Sequence, residues 1–349
     1  MSPRPVLITG GCGFIGTNMA HRVLSSGRHV RVFDDLSRPG VKQNLEWLRA
    51  THGAHLDVVV ADVRFEDAVR TAVHDSSEIY HFAAQVAVTR SLDSPLHDFE
   101  VNARGTLNLL EALREMSHPS PLLFSSTNKV YGGLDDVGFH EGETRYEPRD
   151  SDLRSHGIGE KRPLSFHSPY GCSKGTADQY VLDYSRSYKL PAVVFRMSCI
   201  YGPHQFGTED QGWVAHFMIQ AMSGRTVTLF GDGKQVRDLL FIEDLLDAFV
   251  VAQESMTSIG GEAFNIGGGP ANSISLVELL RMAESIGGKP IDLSFERWRT
   301  GDQKYYVSDT RRFQAATGWS PRTGVEQGVK KLYEWLAAHR GARAHSESE

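Results

Sequence analysis

Two side chains that can exchange protons, Tyr170 and Lys174, lie four residues apart in the segment S-P-Y-G-C-S-K. On a helix, this spacing places both side chains on one face. A free phenol has a pKa of about 10 and is a poor base at neutral pH, but a nearby ammonium group favours the phenolate. The spacing alone does not establish a site, but a tyrosine activated in this way could take a proton from a substrate hydroxyl.

Further polar residues lie in F-S-S-T-N-K-V-Y-G, residues 124 to 132, after an apolar run that predicts a buried strand. Thr127 would stand at the end of that strand, where its hydroxyl can hold a substrate oxygen by a hydrogen bond. Asn128 cannot take a proton, and a charged Lys129 cannot act as a base. Lys129 is either a solvated or ion-paired lysine, or a group that holds a substrate hydroxyl.

The segment V-L-I-T-G-G-C-G-F-I-G, residues 6 to 16, combines a strand, three spaced glycines and the start of a helix. Gly10 permits a tight turn, Gly13 lets the backbone approach a pyrophosphate, and Gly16 lets the helix pack on the strand. The pyrophosphate would lie at the helix N-terminus, where backbone N–H groups point outward. This arrangement predicts a dinucleotide site.

The residue that ends the next strand indicates which dinucleotide is bound. Asp34 can accept hydrogen bonds from a ribose 2′-hydroxyl, and Asp35 adds to the repulsion of a 2′-phosphate. NAD is therefore favoured over NADP, although Arg38 is a nearby feature that suits a 2′-phosphate. Asp62, after the third strand, is placed for the adenine edge, and the small residues of H-F-A-A at 81 to 84 allow backbone to lie along the dinucleotide.

Short β-branched runs alternate with helical patterns through the first two thirds of the chain. This alternation predicts an α/β fold, a Rossmann-type doubly wound parallel sheet with helices on both faces. We expect the NAD-binding domain at 1–202, with a polar insertion at about 135–167 that exceeds ordinary connections in length. Residues 203–340 are expected to form mainly a smaller substrate-binding domain, some strands of which return to the sheet, and 341–349 a polar tail.

The composition excludes several classes of protein. The 349 residues carry a net charge of −6 without a basic run, which argues against nucleic acid or an anionic membrane surface as a partner. The three cysteines lack metal-site spacing and are expected to be free thiols in a reducing compartment, so neither disulfides nor a metal are predicted. The start of the chain shows no signal-peptide pattern, and we expect a cytoplasmic protein.

Together these motifs resemble the extended short-chain dehydrogenase/reductase superfamily and, within it, the NAD-dependent epimerase/dehydratase family. The resemblance runs from about residue 5 to 335 and implies that Thr127, Tyr170 and Lys174 form the catalytic unit. Besides the residues named above, it implies cofactor contacts at Phe14, Ile15, Val63, Ala83, Ala84, Asn102, Ser125, Tyr170 and Lys174. It implies substrate contacts at Gln85, Thr127, Lys129, Gln205, Arg237 and Arg299, of which the two arginines resemble diphosphate ligands.

Dehydratases of this family carry T-D-E or T-S-E where this chain has Thr127-Asn128-Lys129. Without those carboxylates, dehydration is disfavoured and epimerisation remains. Within the family, the chain resembles members that epimerise a CDP-sugar at C2, although Cys199 stands where many relatives have Asn. Oxidation at C2 and oxidation at C4 with opening of the C2–C3 bond both stay open. The alternatives are a UDP-sugar 4-epimerase and, outside enzymes, a noncatalytic NAD-binding sensor.

The resemblance also implies the partners. The small-molecule partner would be a nucleotide-diphosphate sugar, with a CDP-sugar favoured. Related proteins pair through the helix that carries the catalytic Tyr and Lys, so a homodimer or homotetramer is expected.

Overall fold

Strands and helices alternate along the computed structural model, which describes residues 4–299 and 301–346. The strands are β1 (Val6–Thr9), β2 (Val30–Asp34), β3 (Leu56–Val60), β4 (Glu78–His81), β5 (Leu122–Thr127), β6 (Phe139–Glu141), β7 (Tyr146–Pro148), β8 (Ala192–Met197), β9 (Cys199–Tyr201), β10 (Val227–Phe230), β11 (Val236–Phe241), β12 (Ala263–Ile266), β13 (Ser273–Ser275), β14 (Leu293–Glu296) and β15 (Tyr305–Tyr306). The α-helices are α1 (Phe14–Ser25), α2 (Val41–His52), α3 (Glu66–Val73), α4 (Val88–Asp93), α5 (Pro95–Phe99), α6 (Gly105–Arg114), α7 (Ser151–His156), α8 (Ser168–Tyr188), α9 (Trp213–Met222), α10 (Ile242–Glu254), α11 (Met256–Ile259), α12 (Leu276–Gly287), α13 (Arg311–Thr317) and α14 (Val325–Ser346).

Seven of these strands form one sheet in the order β12-β8-β5-β4-β1-β2-β3, and every pair in it is parallel. All residues of β1 and β5 are buried, as expected for strands covered on both faces. The doubly wound parallel sheet predicted from the sequence is confirmed. The strand order reverses at β1, which lies between β2 and β4, and ligands of such sheets bind beside the carboxyl ends at this point.

Helices cover the two faces of the sheet with separate apolar layers. On one face, α1, α2 and α10 contribute Met19, Leu45 and Phe249 to the larger core. On the other face, α3, α6 and α8 contribute residues such as Leu109 and Val181 to the second core. The long helix α8 contacts both β5 and β8, so it lies across the middle of the sheet.

The chain after residue 202 does not stay in one lobe. β11 pairs with β9, β13 and β15, and β10 pairs with β14, which together form the smaller lobe. Helix α10 packs instead on a face of the large sheet, and strand β12 is one of the strands of that sheet. At the other end of this region, α14 continues to Ser346, so residues 341–346, which we expected to be a tail, have helical backbone; 347–349 lie outside the described residues.

The polar insertion at 135–167 folds into a hairpin of β6 and β7 followed by the short helix α7. Its hairpin is attached to the smaller lobe. The Arg145 guanidinium contacts the Glu278 carboxylate, and the hydroxyl of Tyr146 donates to the Asp232 carboxylate. Glu160 of the same insertion accepts from the backbone N–H of Asn265 on β12 at 2.8 Å, so the insertion bridges the smaller lobe and the large sheet. In the described chain, no helix is long and apolar enough to cross a membrane.

Candidate active site

The candidate catalytic residues meet where β5 ends beside α8. Thr127 is the last residue of β5, and Tyr170 and Lys174 lie on the first turns of α8. The Nζ atom of Lys174 donates a 2.6 Å hydrogen bond to the carbonyl oxygen of Ser125 and lies 4.3 Å from the centre of the Phe124 ring. These contacts hold the lysine against the strand end. The four-residue spacing of Tyr170 and Lys174 thus places both side chains on one face of α8.

Burial controls the protonation of the pair. Burial raises the pKa of Tyr170 to about 12, opposed by a hydrogen bond with Thr127 and by the positive charge of Arg38. Burial lowers the pKa of Lys174 to about 7, although the carboxylates of Asp178 and Asp98 favour its charged form. Both groups are therefore shifted toward their neutral forms, and a nearby positive charge is needed to favour the phenolate.

The glycine-rich turn between β1 and α1 has the shape that a pyrophosphate requires. A Cβ atom at Gly10, where φ is +65°, would lie 2.7 Å from the backbone nitrogen of Ala83, and one at Gly16 would overlap the Gly10 carbonyl oxygen. A Cβ at Gly13 would meet only the Gly10 oxygen, at 3.1 Å. No side chain caps α1, so its first N–H groups remain available to an anion. This turn fits a dinucleotide.

Asp34 lies at the end of β2, next to this turn, and is buried. Its carboxylate accepts hydrogen bonds from the backbone N–H groups of Cys12, at 3.0 Å, and Leu36, at 2.9 Å. Burial raises its pKa, and both backbone bonds oppose that shift. Each oxygen keeps a lone pair that can accept a ribose hydroxyl. Asp35 is exposed and accepts from Ser37, so it contributes charge at a greater distance from the turn.

A cavity of about 580 Å³ connects the turn, the strand end and the smaller lobe. Most of the residues predicted for the site line it. These are Gly10, Gly13, Phe14, Ile15, Gly16, Ala84, Ser125, Thr127, Lys129, Tyr170, Lys174, Gln205, Arg237 and Arg299. The cavity therefore brings the candidate cofactor, catalytic and substrate groups into one space.

Other predicted residues lie outside the lining of this cavity. They are Asp34, Asp35, Asp62, Val63, Ala83, Gln85 and Asn102. Asp62 follows β3 and is paired with Arg64 at 2.7 Å. Gln85, for which we predicted a substrate contact, makes contacts with neighbouring protein groups in this structure. Its amide donates to Asp98 and to the Ala87 carbonyl oxygen and accepts from the Ala87 N–H, which leaves the side chain turned into the protein.

Asn102 is 1% exposed and also serves internal contacts. Its amide donates to the Gln85 carbonyl oxygen and to Ser173, and its oxygen accepts from the Gln85 N–H. Asn102 thus links the loop after β4 to α8, and the cofactor contact at this residue stays a prediction.

Lys129 lies in a polar cluster that the sequence did not reveal. Its Nζ atom donates to Oε1 of Gln303 at 3.4 Å, and Gln303 is fully buried. The neighbouring Asp302 carboxylate accepts from Arg237 at 2.6 Å. Burial lowers the pKa of Lys129, as does the charge of Arg237, whereas Asp302 opposes the shift. Lys129 is thus held at the cavity wall by an amide rather than exposed at a strand end.

The segment 204–212 contributes to the cavity wall and contacts three different parts of the chain. Glu209 accepts from Arg299 at 2.7 Å, and Arg299 also lies 3.7 Å over the ring of Phe230. Gln211 accepts from Arg38 at 2.5 Å. Asp210 accepts from the Thr89 hydroxyl at 2.8 Å. We call this segment the cover loop.

Gln205, in the cover loop, and Cys199, on β9, both line the cavity. The Gln205 amide donates to the Ile200 carbonyl oxygen at 3.2 Å. The Cys199 sulfur accepts from the indole of Trp213 at 3.4 Å and lines the cavity. Burial raises the pKa of Cys199, opposed by the charge of Arg237 and the Trp213 bond, so the thiol is a neutral wall of the cavity. Among the described residues, no group of three or more His, Cys, Asp or Glu side chains is placed to hold a metal ion.

Comparisons with known proteins agree with this geometry. Residues 6–267 match the model of the NAD dependent epimerase/dehydratase family. CDP-paratose 2-epimerase of Salmonella typhi is 44% identical over 95% of this chain and 99% of its own length, and UDP-glucose 4-epimerase of Mycolicibacterium smegmatis is 32% identical over 95% and 97%. The crystal structure of UDP-glucuronic acid 4-epimerase from Bacillus cereus, in complex with UDP-glucuronic acid and NAD, is 25% identical with a TM-score of 0.82 and covers 96% of this chain and 99% of that one.

Proposed function

Because the chain belongs to the NAD-dependent epimerase/dehydratase family, we propose that it is a nucleotide-sugar epimerase that interconverts CDP-paratose and CDP-tyvelose at C2. One observation supports this proposal most directly. Thr127, Tyr170 and Lys174 share the wall of one cavity with Asn128 and Lys129, where a dehydratase needs carboxylates. The cavity thus holds the groups for oxidation and reduction but lacks an acid–base pair for removal of water at that position.

The chain's own residues move the proton. Thr127 holds the sugar hydroxyl, and the Tyr170 oxygen takes the hydroxyl proton as the carbon–oxygen double bond forms. When bound, NAD accepts the hydride from the same carbon and later returns it. When Lys174 is charged, its ammonium group favours the phenolate form of Tyr170. In the second half of the reaction, Tyr170 gives the proton back to the oxygen while the other face of the carbon is reduced.

Direct oxidation at C2 is the path we propose, in preference to oxidation at C4 with opening of the C2–C3 bond. The C2 path breaks the C2–H bond and returns that hydrogen to C2. Substrate carrying deuterium at C2 should therefore react more slowly than substrate carrying deuterium at C4. A rate reduction with the C4 label alone would overturn the C2 path and favour the C4 path.

A UDP-sugar 4-epimerase is the second candidate, supported by the match to the Mycolicibacterium smegmatis enzyme. Incubating the purified protein with a panel of CDP-, UDP- and GDP-sugars, and following stereochemistry at each carbon, tests both candidates. Inversion at C2 of a CDP-sugar is the expected result. Turnover of UDP-sugars at C4 alone would replace the proposal. Absence of turnover with every sugar, in protein that carries NAD, would favour a noncatalytic sensor.

We also propose that two copies pair through α8 and its neighbour α5. These helices contact each other and expose large apolar side chains, with Leu96 71%, Phe99 51% and Tyr180 43% exposed. Sedimentation should show a dimer or a dimer of dimers, and Leu96→Asp should weaken it. A single-chain mass at all concentrations would remove this part of the proposal. A reducing compartment, the cytoplasm, suits the three free cysteines, of which Cys172 is exposed.

A further inference from the structure

A fully buried carboxylate lies behind the candidate catalytic pair. Asp98, on α5, is 0% exposed. Its Oδ1 atom accepts hydrogen bonds from the amide of Gln85 at 2.6 Å and from the amide of Asn102 at 3.3 Å, and its Oδ2 atom accepts from the hydroxyl of Ser173. All three donors are neutral. The negative charge is therefore solvated by the protein but not cancelled.

The second buried carboxylate near the pair has a different environment. Asp178 is also 0% exposed, but it forms an ion pair with Arg196 at 2.9 Å. In the described part of the chain, no Lys, Arg or His lies within ion-pair distance of Asp98. Burying a carboxylate without a cation is costly, and three hydrogen bonds offset only part of that cost. Asp98 therefore carries a charge that acts on the titratable groups near it.

The hydrogen bonds of Asp98 connect it to the helical turn that carries the catalytic pair. Ser173, its donor, directly precedes Lys174, and the Ser173 hydroxyl also lies 3.2 Å from the carbonyl oxygen of Tyr170. The Asp98 charge raises the pKa of Lys174, as does Asp178, and raises that of Tyr170.

Two other charged or titratable groups face the pair. Arg38 acts on Tyr170 in the opposite sense to Asp98. His81, on β4, is kept neutral, because burial first and the Lys174 charge second lower its pKa to about 3. His81 therefore adds no charge at neutral pH.

We propose that Asp98 is a positioning residue whose buried negative charge sets the pH range in which the Tyr170–Lys174 pair holds a single exchangeable proton. This inference rests on the proposed role of that pair. Two coupled groups lose their protons in two steps that belong to the pair rather than to either residue. An anion nearby stabilises the protonated forms at both steps, and so moves both steps to higher pH.

The test is Asp98→Asn, which preserves shape and removes charge. The ultraviolet absorbance of tyrosinate is titrated in the NAD-loaded protein, and the same protein carrying Tyr170→Phe serves as the reference that isolates Tyr170. We expect Tyr170 to ionise about one pH unit lower in Asp98→Asn, as loss of one neighbouring charge predicts. Asp98→Glu should restore the titration, and Asp93→Asn, which removes an exposed carboxylate from α4, should leave it unchanged.

This readout requires no sugar, so its outcome is independent of the substrate proposed above. Where turnover is measurable, both limbs of the pH profile of kcat/KM should move together to lower pH. Relative activity of Asp98→Asn should fall about tenfold on the alkaline side for a shift of one unit. An unshifted tyrosinate titration, or an equal loss of activity at every pH, overturns the inference. If Asp98→Asn does not fold, Asp98→Ser must give the same displacement, and an unshifted Asp98→Ser overturns it equally.

Discussion

The guanidinium of Arg196 donates one hydrogen bond of 2.9 Å to each carboxylate oxygen of Asp178. Both side chains are buried, and the hydroxyl of Ser126 donates to the same carboxylate at 2.7 Å. This arrangement joins α8 to β8 and β5, the strands on which the helix rests. The position of Tyr170 and Lys174 above the strand ends therefore depends on an ion pair one turn further along the helix.

Arg196→Met should destabilise the fold strongly. It leaves the Asp178 charge buried without its cation, which typically costs about 3–5 kcal/mol. The free energy of unfolding from denaturant titration measures the effect. Arg186→Met is the matched control, since Arg186 pairs with Asp183 at the surface and should change stability by less than about 1 kcal/mol. Equal effects of the two variants would show that the buried pair is not the link.

Tyr170→Phe should keep the fold and the bound NAD but lose most turnover. We expect the phenol hydroxyl to exchange the proton, and such groups typically supply about 10²–10⁴-fold in rate. Activity is compared at equal NAD content, measured by cofactor release. Tyr188→Phe, which changes an exposed tyrosine at the end of the same helix, is the control. If Tyr170→Phe retains more than about a tenth of the activity, another group moves the proton.

Asp34→Ala should relax the preference for NAD over NADP. The substitution removes the carboxylate that would receive the ribose hydroxyls and repel a 2′-phosphate, while Arg38 remains at the cavity. Competition between the two dinucleotides during reconstitution measures the preference. Asp35→Ala, which removes an exposed charge, should shift it less. Native protein that binds NADP more tightly than NAD would contradict the role given to Asp34.

Lys129→Met should lower kcat/KM without changing NAD content. It keeps much of the side chain's length and deletes the ammonium, which we expect to hold a sugar hydroxyl or oppose charge on the oxygen as the ketone is reduced. Gln303→Leu is a second variant, because it removes the amide that positions Nζ. Its effect should be smaller but in the same direction. If Lys129→Met has wild-type kinetics, the Lys129 ammonium does not contribute to turnover and its role is structural.

Glu209→Gln should tighten binding of the nucleotide. In the present structure the Glu209 carboxylate forms an ion pair with Arg299. We expect the same guanidinium to bind the substrate diphosphate, so the two anions would compete for it. A weakened pair at a partly exposed site predicts a dissociation constant for CDP about two- to fivefold lower. Calorimetry measures it, and Asp210→Asn in the same loop is the control. Weaker binding of CDP would instead show that Glu209 helps the cover loop close.

Much of this architecture could be predicted from the sequence, because buried parallel strands appear as continuous apolar runs and glycine turns have fixed spacing. The parallel sheet, the family and NAD as cofactor are confirmed. The surroundings of individual side chains could not be predicted. Lys129 meets Gln303 across 174 positions of the chain, and the contact between Gln85 and the buried Asp98 depends on helix packing that no local pattern records.

A small apolar cluster around the insertion is completed by a residue that is translated late. Val130, Tyr131, Leu134 and Ile158 are buried together with Tyr306. On a ribosome the first four emerge well before the fifth, an interval on the order of ten seconds at about 5–20 residues per second. Strand β12, at one edge of the main sheet, is also translated late. The amino-terminal half therefore leaves the ribosome with a sheet edge and an apolar surface that stay uncovered until the carboxy-terminal segments arrive.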